Sequence, residues 1–134
     1  MYEVTVAIRN ALLANSNLTA FVGDRIYPSH ILTVSEPVYP AISMGRQGGG
    51  MDDRLIATDM ILQIDVWAKL DESIGLMPYD LLWAIYNEVH GTINLKPLPG
   101  VVAPLVKEIY VNDDLYESDN QTWHLASKYK IIAL

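Results

Sequence analysis

The chain has 134 residues, the size of one domain (1–134) with a single core. Half of its residues are hydrophobic and 19% are charged, which excludes a disordered chain, and no apolar run approaches the roughly 20 residues of a membrane helix. A net charge of −7 with nine scattered basic residues argues against tight, sequence-independent DNA binding, and the lack of cysteine excludes disulfides and thiolate zinc sites.

Met1-Tyr2-Glu3-Val4 holds no basic stretch ahead of an apolar run, so no signal peptide is expected. Residues 2–14 read as a helix because Val4, Ala7, Ile8, Ala11 and Leu12 recur at three- and four-residue spacing. The Asn15-Ser16-Asn17 cluster ends it, and Ser16 or Asn17 is placed to cap a short turn of helix, Leu18 to Val22. Gly23 suits the left-handed position that closes such a turn. Arg25-Ile26-Tyr27 is a short extended piece stopped by Pro28. Residues 29–39 read as a loop whose Ile31, Leu32, Val34, Val38 and Tyr39 are apolar for a solvated segment, which points to packing against this domain or a neighbour. Pro40 stands at a strand start, where a missing N–H is tolerated, and the strand is Ala41 to Arg46.

Gly48-Gly49-Gly50-Met51-Asp52-Asp53 reads as a flexible hairpin tip, since three glycines give the backbone maximal freedom. Arg54 to Ala68 returns as a long strand. Met60, Leu62, Ile64, Val66 and Ala68 share one face, and Ile61, Gln63, Asp65 and Trp67 share the other, as in a sheet covered by helices on one side only. The next helix is predicted from near Met77, with Pro78 in its first turn, a buried stripe of Leu81, Leu82, Ile85 and Val89, and His90-Gly91 as its stop. Lys96-Pro97-Leu98-Pro99-Gly100 is a rigid connector. A second hairpin follows, Leu105–Tyr116 and Gln121–Ala133, around Glu117-Ser118-Asp119-Asn120. In its last strand Trp123, Leu125, Tyr129 and Ile131 share a face, and His124, Lys128 and Lys130 share the other. The order is α-β-β-α-β-β. It predicts an α+β fold, an antiparallel or mixed sheet of about four strands with two main helices packed on one face.

The chemistry-bearing residues do not form a familiar motif. His30, His90 and His124 are far apart and lack metal spacing; His90 reads as a cation at a helix C-terminus. Asp52-Asp53 and Asp113-Asp114 offer oxygens to a hard cation but lack the alternating acids and glycine turn of a calcium loop, so they read as solvated turns or interface charges. Gly45-Arg46-Gln47-Gly48-Gly49-Gly50 looks superficially like a phosphate loop, yet it leads through two aspartates into a strand. Asp24-Arg25 reads as a local ion pair or an interface pair. No catalytic residue, cofactor or metal site is expected.

Several of these segments, taken in order, resemble one family. They are the opening helix, Gly23-Asp24-Arg25-Ile26-Tyr27-Pro28, the strand entry Tyr39-Pro40-Ala41-Ile42, Gln63-Ile64-Asp65-Val66-Trp67-Ala68 and the helix after it. The chain is similar to the small tail-completion proteins of long-tailed bacteriophages, such as the lambda-type tail terminator, also called minor tail protein U. The resemblance spans nearly the whole chain. It implies a structural, non-enzymatic protein of the virion that forms a hexameric ring at the head-proximal end of the tail tube. The ring ends tube polymerisation and offers a surface to the head connector. Its implied partners are further copies of itself, the tail tube protein, the head–tail connector protein and DNA that passes the lumen without specific binding. No membrane is implied, and assembly would take place in the bacterial cytoplasm. A joining protein or neck adaptor of the same fold is the alternative. A ligand-binding α+β domain with a pocket of Trp67, Tyr110 and Trp123 is a further one. The expected oligomer or partner contacts are Ile31, Leu32 and Val34 in the apolar loop, with Arg46, Gly48, Gly49, Gly50, Met51, Asp52, Asp53 and Arg54 in the glycine hairpin.

Overall fold

The computed structural model describes residues 2–28, 38–51, 58–70, 77–98, 105–117 and 121–133. Two helices, α1 (Tyr2–Leu13) and α2 (Ser16–Val22), open the chain. Then come β1 (Ile26–Tyr27), β2 (Ala41–Met51), β3 (Thr58–Ala68), α3 (Pro78–Ile93), β4 (Leu105–Glu117) and β5 (Thr122–Ala133). The strands form one five-stranded sheet in the order β1-β2-β3-β5-β4. β1 lies parallel to β2, and the other neighbours are antiparallel. The fold is α+β, as expected. The short extended piece after Gly23 is a strand of the sheet, added to the four long ones.

One asparagine joins the helices. Asn15 Oδ1 accepts from the N–H groups of Asn17 (3.0 Å) and Leu18 (3.1 Å), capping α2. Its Nδ2 donates to Glu88 Oε2 (3.0 Å) and Thr92 Oγ1 (2.9 Å) on α3. The cap is therefore Asn15 rather than Ser16 or Asn17, and α2 starts at Ser16. An amide that accepts at one end and donates at the other can cap one helix and grip a second; a serine hydroxyl reaches less far.

The Gly23–Pro28 segment is a clasp. Gly23 has φ 59° and ψ −129°, outside the left-handed helical region expected for it and open chiefly to glycine. Its N–H still bonds Thr19 O at 2.8 Å, closing α2. The chain then turns so that Arg25 O accepts from Ile42 N–H (2.9 Å), starting the parallel β1–β2 pair. Arg25 Nε donates to Pro40 O (2.9 Å) and its terminal nitrogen to Phe21 O (3.2 Å). The guanidinium thus ties the end of α2 to the start of β2. This takes the place of the expected local pairing with Asp24, because the guanidinium is engaged by two backbone carbonyls.

All three helices pack on one face of the sheet. Ile42, Met44, Met60, Leu62, Ile64, Val66, Val106, Leu125, Tyr129 and Ile131 point to them. Val4, Ile8 and Leu12 of α1, Leu18 and Val22 of α2, and Leu81, Leu82, Ile85, Val89 and Ile93 of α3 complete the core. Pro78 is the first residue of α3, where its missing N–H costs nothing. The helix does not stop at His90-Gly91. It runs on to Ile93, which is fully buried and extends the Ile85–Val89 stripe by one more turn. That burial outweighs the helix penalty of a glycine, about 1 kcal/mol.

The glycine run differs from expectation. Gly48, Gly49 and Gly50 are not a hairpin tip; they belong to β2 and pair with Ile61, Met60 and Asp59. The register shifts between Arg46 and Gly48, a bulge that a glycine-rich strand accommodates. Backbone pairing needs no side chain, so the ladder continues through three glycines to Met51↔Thr58. β4 carries two further bulges, at Glu108/Tyr110 and Asn112/Leu115.

The two described helix-end glycines make opposite predictions. A Cβ at Gly91 would meet nothing within 4 Å, so Gly91→Ala should stabilise the fold by about 0.5–1 kcal/mol. Gly23→Ala should destabilise it by about 1–3 kcal/mol, because alanine is strained at that φ and ψ. Urea midpoints of the two variants check both. A shift of the same sign in each would refute the assigned backbone.

Candidate functional site

The sheet's outer face, away from the helices, carries a buried polar network. Register places Ser43 against Asp65 and Trp67 against His124. Trp67 Nε1 donates to Ser43 Oγ at 2.9 Å, and its ring stacks on His124 with centroids 3.9 Å apart at 8°. His124 Nε2 lies 2.6 Å from Asp65 Oδ1, and Gln63 Nε2 donates to the same oxygen at 2.8 Å. Tyr27 and Tyr39 pack against Ala41 and Trp67. The mixed pattern of β3 therefore conceals a second small core.

Ser43, Asp65 and His124 are the residue types of a hydrolytic triad, but the arrangement cannot act as one. In a triad the histidine stands between acid and nucleophile. Here Asp65 lies on the strand between Ser43 and His124, and the Ser43 hydroxyl accepts a hydrogen bond from Trp67 Nε1. Exposure is 8% or less at all three, so no substrate reaches them. The network fixes strand register by satisfying buried polar groups.

A second cluster docks α3 on β4. Glu108 accepts a short hydrogen bond from the Tyr86 hydroxyl, and its other oxygen lies 3.3 Å from His90 Nδ1. Glu108 N–H bonds Asn94 Oδ1 at 2.8 Å. His90 thus faces a carboxylate on the sheet as well as sitting in the last turn of α3. Burial first, then the hydrogen bond and charge of Glu108, raises the Tyr86 pKa above the usual tyrosine range. Further along, Asp113 Oδ2 accepts from Tyr79 Oη (2.7 Å) and Trp83 Nε1 (2.9 Å). These two donors hold the Asp113 carboxyl below its usual value. One oxygen of Asp113 is committed to α3, so this acid is a docking point and not part of a cation loop.

The other expected site residues separate. Among the described residues no group of histidine, cysteine, aspartate and glutamate could hold a metal. Trp67 and Tyr110 lie on the outer face at different ends, while Trp123 shares the helix-side parity with Leu125, so the three do not line one pocket. A groove of about 470 Å³ beside α1 is lined by Thr5, Val6, Arg9, Asn10 and Pro28, and Arg9 Nε is engaged with Ile26 O at 2.8 Å. Of the expected contact residues, Arg46, Gly48, Gly49, Gly50 and Met51 lie in β2. Ile31, Leu32, Val34, Asp52, Asp53 and Arg54 lie outside the described residues, as does His30.

A further surface, not among the expected contacts, lies at the far side of the sheet. β4 is a thirteen-residue edge strand. Leu105, Ile109, Tyr110, Val111 and Tyr116 along it are all at least 39% exposed. Exposed apolar residues concentrated on one strand mark a contact surface, whereas single ones do not. The consecutive Ile109-Tyr110-Val111 was the available signal. Alternation breaks there because a bulge turns neighbouring side chains outward.

Tyr129 tests the interior of this arrangement. Its hydroxyl is buried without a hydrogen-bond partner. Burial first, then the Glu108 charge, raises its pKa above the usual 10.0, and the nearby Ser127 hydroxyl offsets only part of the rise. Tyr129→Phe should stabilise the fold by about 1 kcal/mol, since it removes an unsatisfied polar group. The raised pKa means the native state holds its proton where the unfolded chain has lost it. Stability is then intact below about pH 10 and falls as pH rises further. Tyr129→Phe should flatten that alkaline limb in thermal melts; a variant less stable than the parent at pH 7 would contradict the assignment.

The fold and family are confirmed by comparison. The family model described as Tail completion protein gp17 matches residues 6–133. Among solved structures, a chain of the "Virion of native gene transfer agent (GTA) particle" superposes with a TM-score of 0.67 at 13% identity. That match covers 98% of this chain and 95% of the other, a likeness of fold. No curated protein matches the sequence. A family match across almost the whole chain places the protein: it belongs to the Tail completion protein gp17 family, structural proteins of phage tails.

Proposed function

We propose that the protein acts as a ring of identical copies at the head-proximal end of a phage tail tube. The ring ends tube polymerisation and presents the surface to which the head connector attaches. Six copies is the number the family resemblance suggests. Its role is structural rather than catalytic, its place is the virion, and its partners are the tail tube protein, the connector and its own copies.

The observation that carries this reading is the apolar β4 edge in a chain of the tail-completion family. A ring needs heterologous contact, one patch meeting a different patch of the next copy. Because the helices occupy one face of the sheet, β4 remains open to such a neighbour. The likeness to a virion component supports assembly with other tail and head proteins. The net charge of −7 suits a passage for DNA, since like charge discourages adhesion.

Polymerisation of the tail tube protein in the presence of this chain tests the role. Tubes should become shorter as its concentration rises, with extra density at one end in negative-stain images. Tubes of unchanged length and bare ends would refute the terminator role.

A further inference from the structure

The β4–β5 hairpin is charge-polarised. Lys107 and Lys130 are direct cross-strand partners on the outer face, and Lys128 follows on the same face two residues from Lys130. Three of the nine basic residues of an acidic chain thus converge at the open end of one hairpin. The register neighbours of Lys128 and Lys130 on β3 are the uncharged Gln63 and Ile61, and the one acid of β3 at this end, Asp59, is opposite Ile132, a single carboxylate against three lysines. The two ion pairs His90–Glu108 and His124–Asp65 lie elsewhere. Lys128 Nζ lies 5.1 Å from the Tyr110 ring centroid. Like charges directly opposed on a sheet are unfavourable, so this patch is under repulsion in the isolated chain.

The complementary charge sits at the other end, on the other face. Asp80 is exposed in the first turn of α3, and Asp113 is bonded to the same helix through Tyr79, the residue before Asp80, and Trp83. Exposed Tyr79, Tyr116 and Trp123 lie toward the same end, the last two in ring contact at 4.8 Å. Five residues of strand separate Lys107 from Asp113, roughly 17 Å at a strand's rise once the bulge is allowed for. A sheet stands between the two patches, so they cannot meet within one chain. They can meet between two.

We propose that the Lys107–Lys128–Lys130 patch of one copy receives the Asp80–Asp113 patch of the next, making the repeated contact of the ring. This inference rests on the ring reading above. Each patch mixes charge with exposed apolar or aromatic side chains, the composition of a protein contact rather than of a phosphate track. The contact is heterologous and uses separate surfaces, so every copy has one of each and rotation closes the ring. The bulges of β4 interrupt its edge, so the neighbour meets side chains and does not extend the ladder.

Two charge-reversed proteins test this. The first carries Lys107→Glu with Lys130→Glu. The second carries Asp80→Lys with Asp113→Asn, which keeps an acceptor for Tyr79 and Trp83. Circular dichroism verifies that both are folded. Each protein alone should stay monomeric by light scattering, at concentrations tenfold above those at which the parent assembles. An equimolar mixture should recover the parent's mass, because an alternating ring restores every attraction. If the parent assembles and both variants assemble equally well alone, this contact is wrong while the ring reading stands. The same holds if the lysine variant assembles but loses retention on DNA, which would give the patch to nucleic acid. A parent that stays monomeric even with tail tube protein present would overturn the ring reading and this contact together.

Discussion

The ladder between β3 and β5 holds the molecule together. It runs unbroken from Thr58↔Ala133 to Ala68↔Trp123 and lies at the centre of the sheet. One side of it supplies the helix-facing core through Met60, Leu62, Ile64, Val66, Leu125, Tyr129 and Ile131. The other side supplies the buried pairs Trp67–His124 and Asp65–His124. A slip of one residue would turn apolar side chains out and buried polar groups in, so this pairing is held from both faces. The clasp at Gly23–Pro28 and the docking of α3 then attach the helices to a sheet whose register is already set.

This arrangement decides where the protein can touch partners. Helices cover one face, and the second core covers part of the other. Lys128 and Lys130 of β5 and the exposed Leu105, Ile109, Tyr110, Val111 and Tyr116 of β4 remain outside both, while Val106, Glu108 and Asp113 of β4 face the helices. In the proposed ring, contact between copies uses this hairpin together with the first turn of α3. The polar clusters that resemble catalytic groups are inward supports of that scaffold: Glu108 anchors α3, and Asp65 anchors His124.

Much of the fold was legible in the sequence because its signals are local and periodic. The parity of β3 and β5 could be read directly from Met60–Ala68 and Trp123–Ile131, and the family resemblance rested on segments that lie in α1, the Gly23–Pro28 turn and β1, the entry of β2, the body of β3 and α3. Errors arose where a non-local contact outweighed a local signal. Gly48–Gly50 looked like a tip because glycine favours turns, yet cross-strand hydrogen bonds need only backbone. Gly91 looked like a stop, yet the burial of Ile93 carries the helix past it. Asn15 caps α2 because its amide also reaches α3, which no spacing reveals. The site was less legible still. Ser43 meets Asp65 only through register, and Lys107 meets Lys130 only because the hairpin folds at a particular point with two bulges on one strand. Such pairings are set by long-range geometry, which composition does not encode.

In the proposed ring, copies of this chain meet through two different surfaces. Native mass spectrometry of the purified wild-type protein over a concentration series tests that most directly. Closed heterologous contact predicts one discrete multiple of the 15.0 kDa chain, reached without a continuing ladder of larger species. A dimer that never grows would mean a self-complementary contact and would contradict the account.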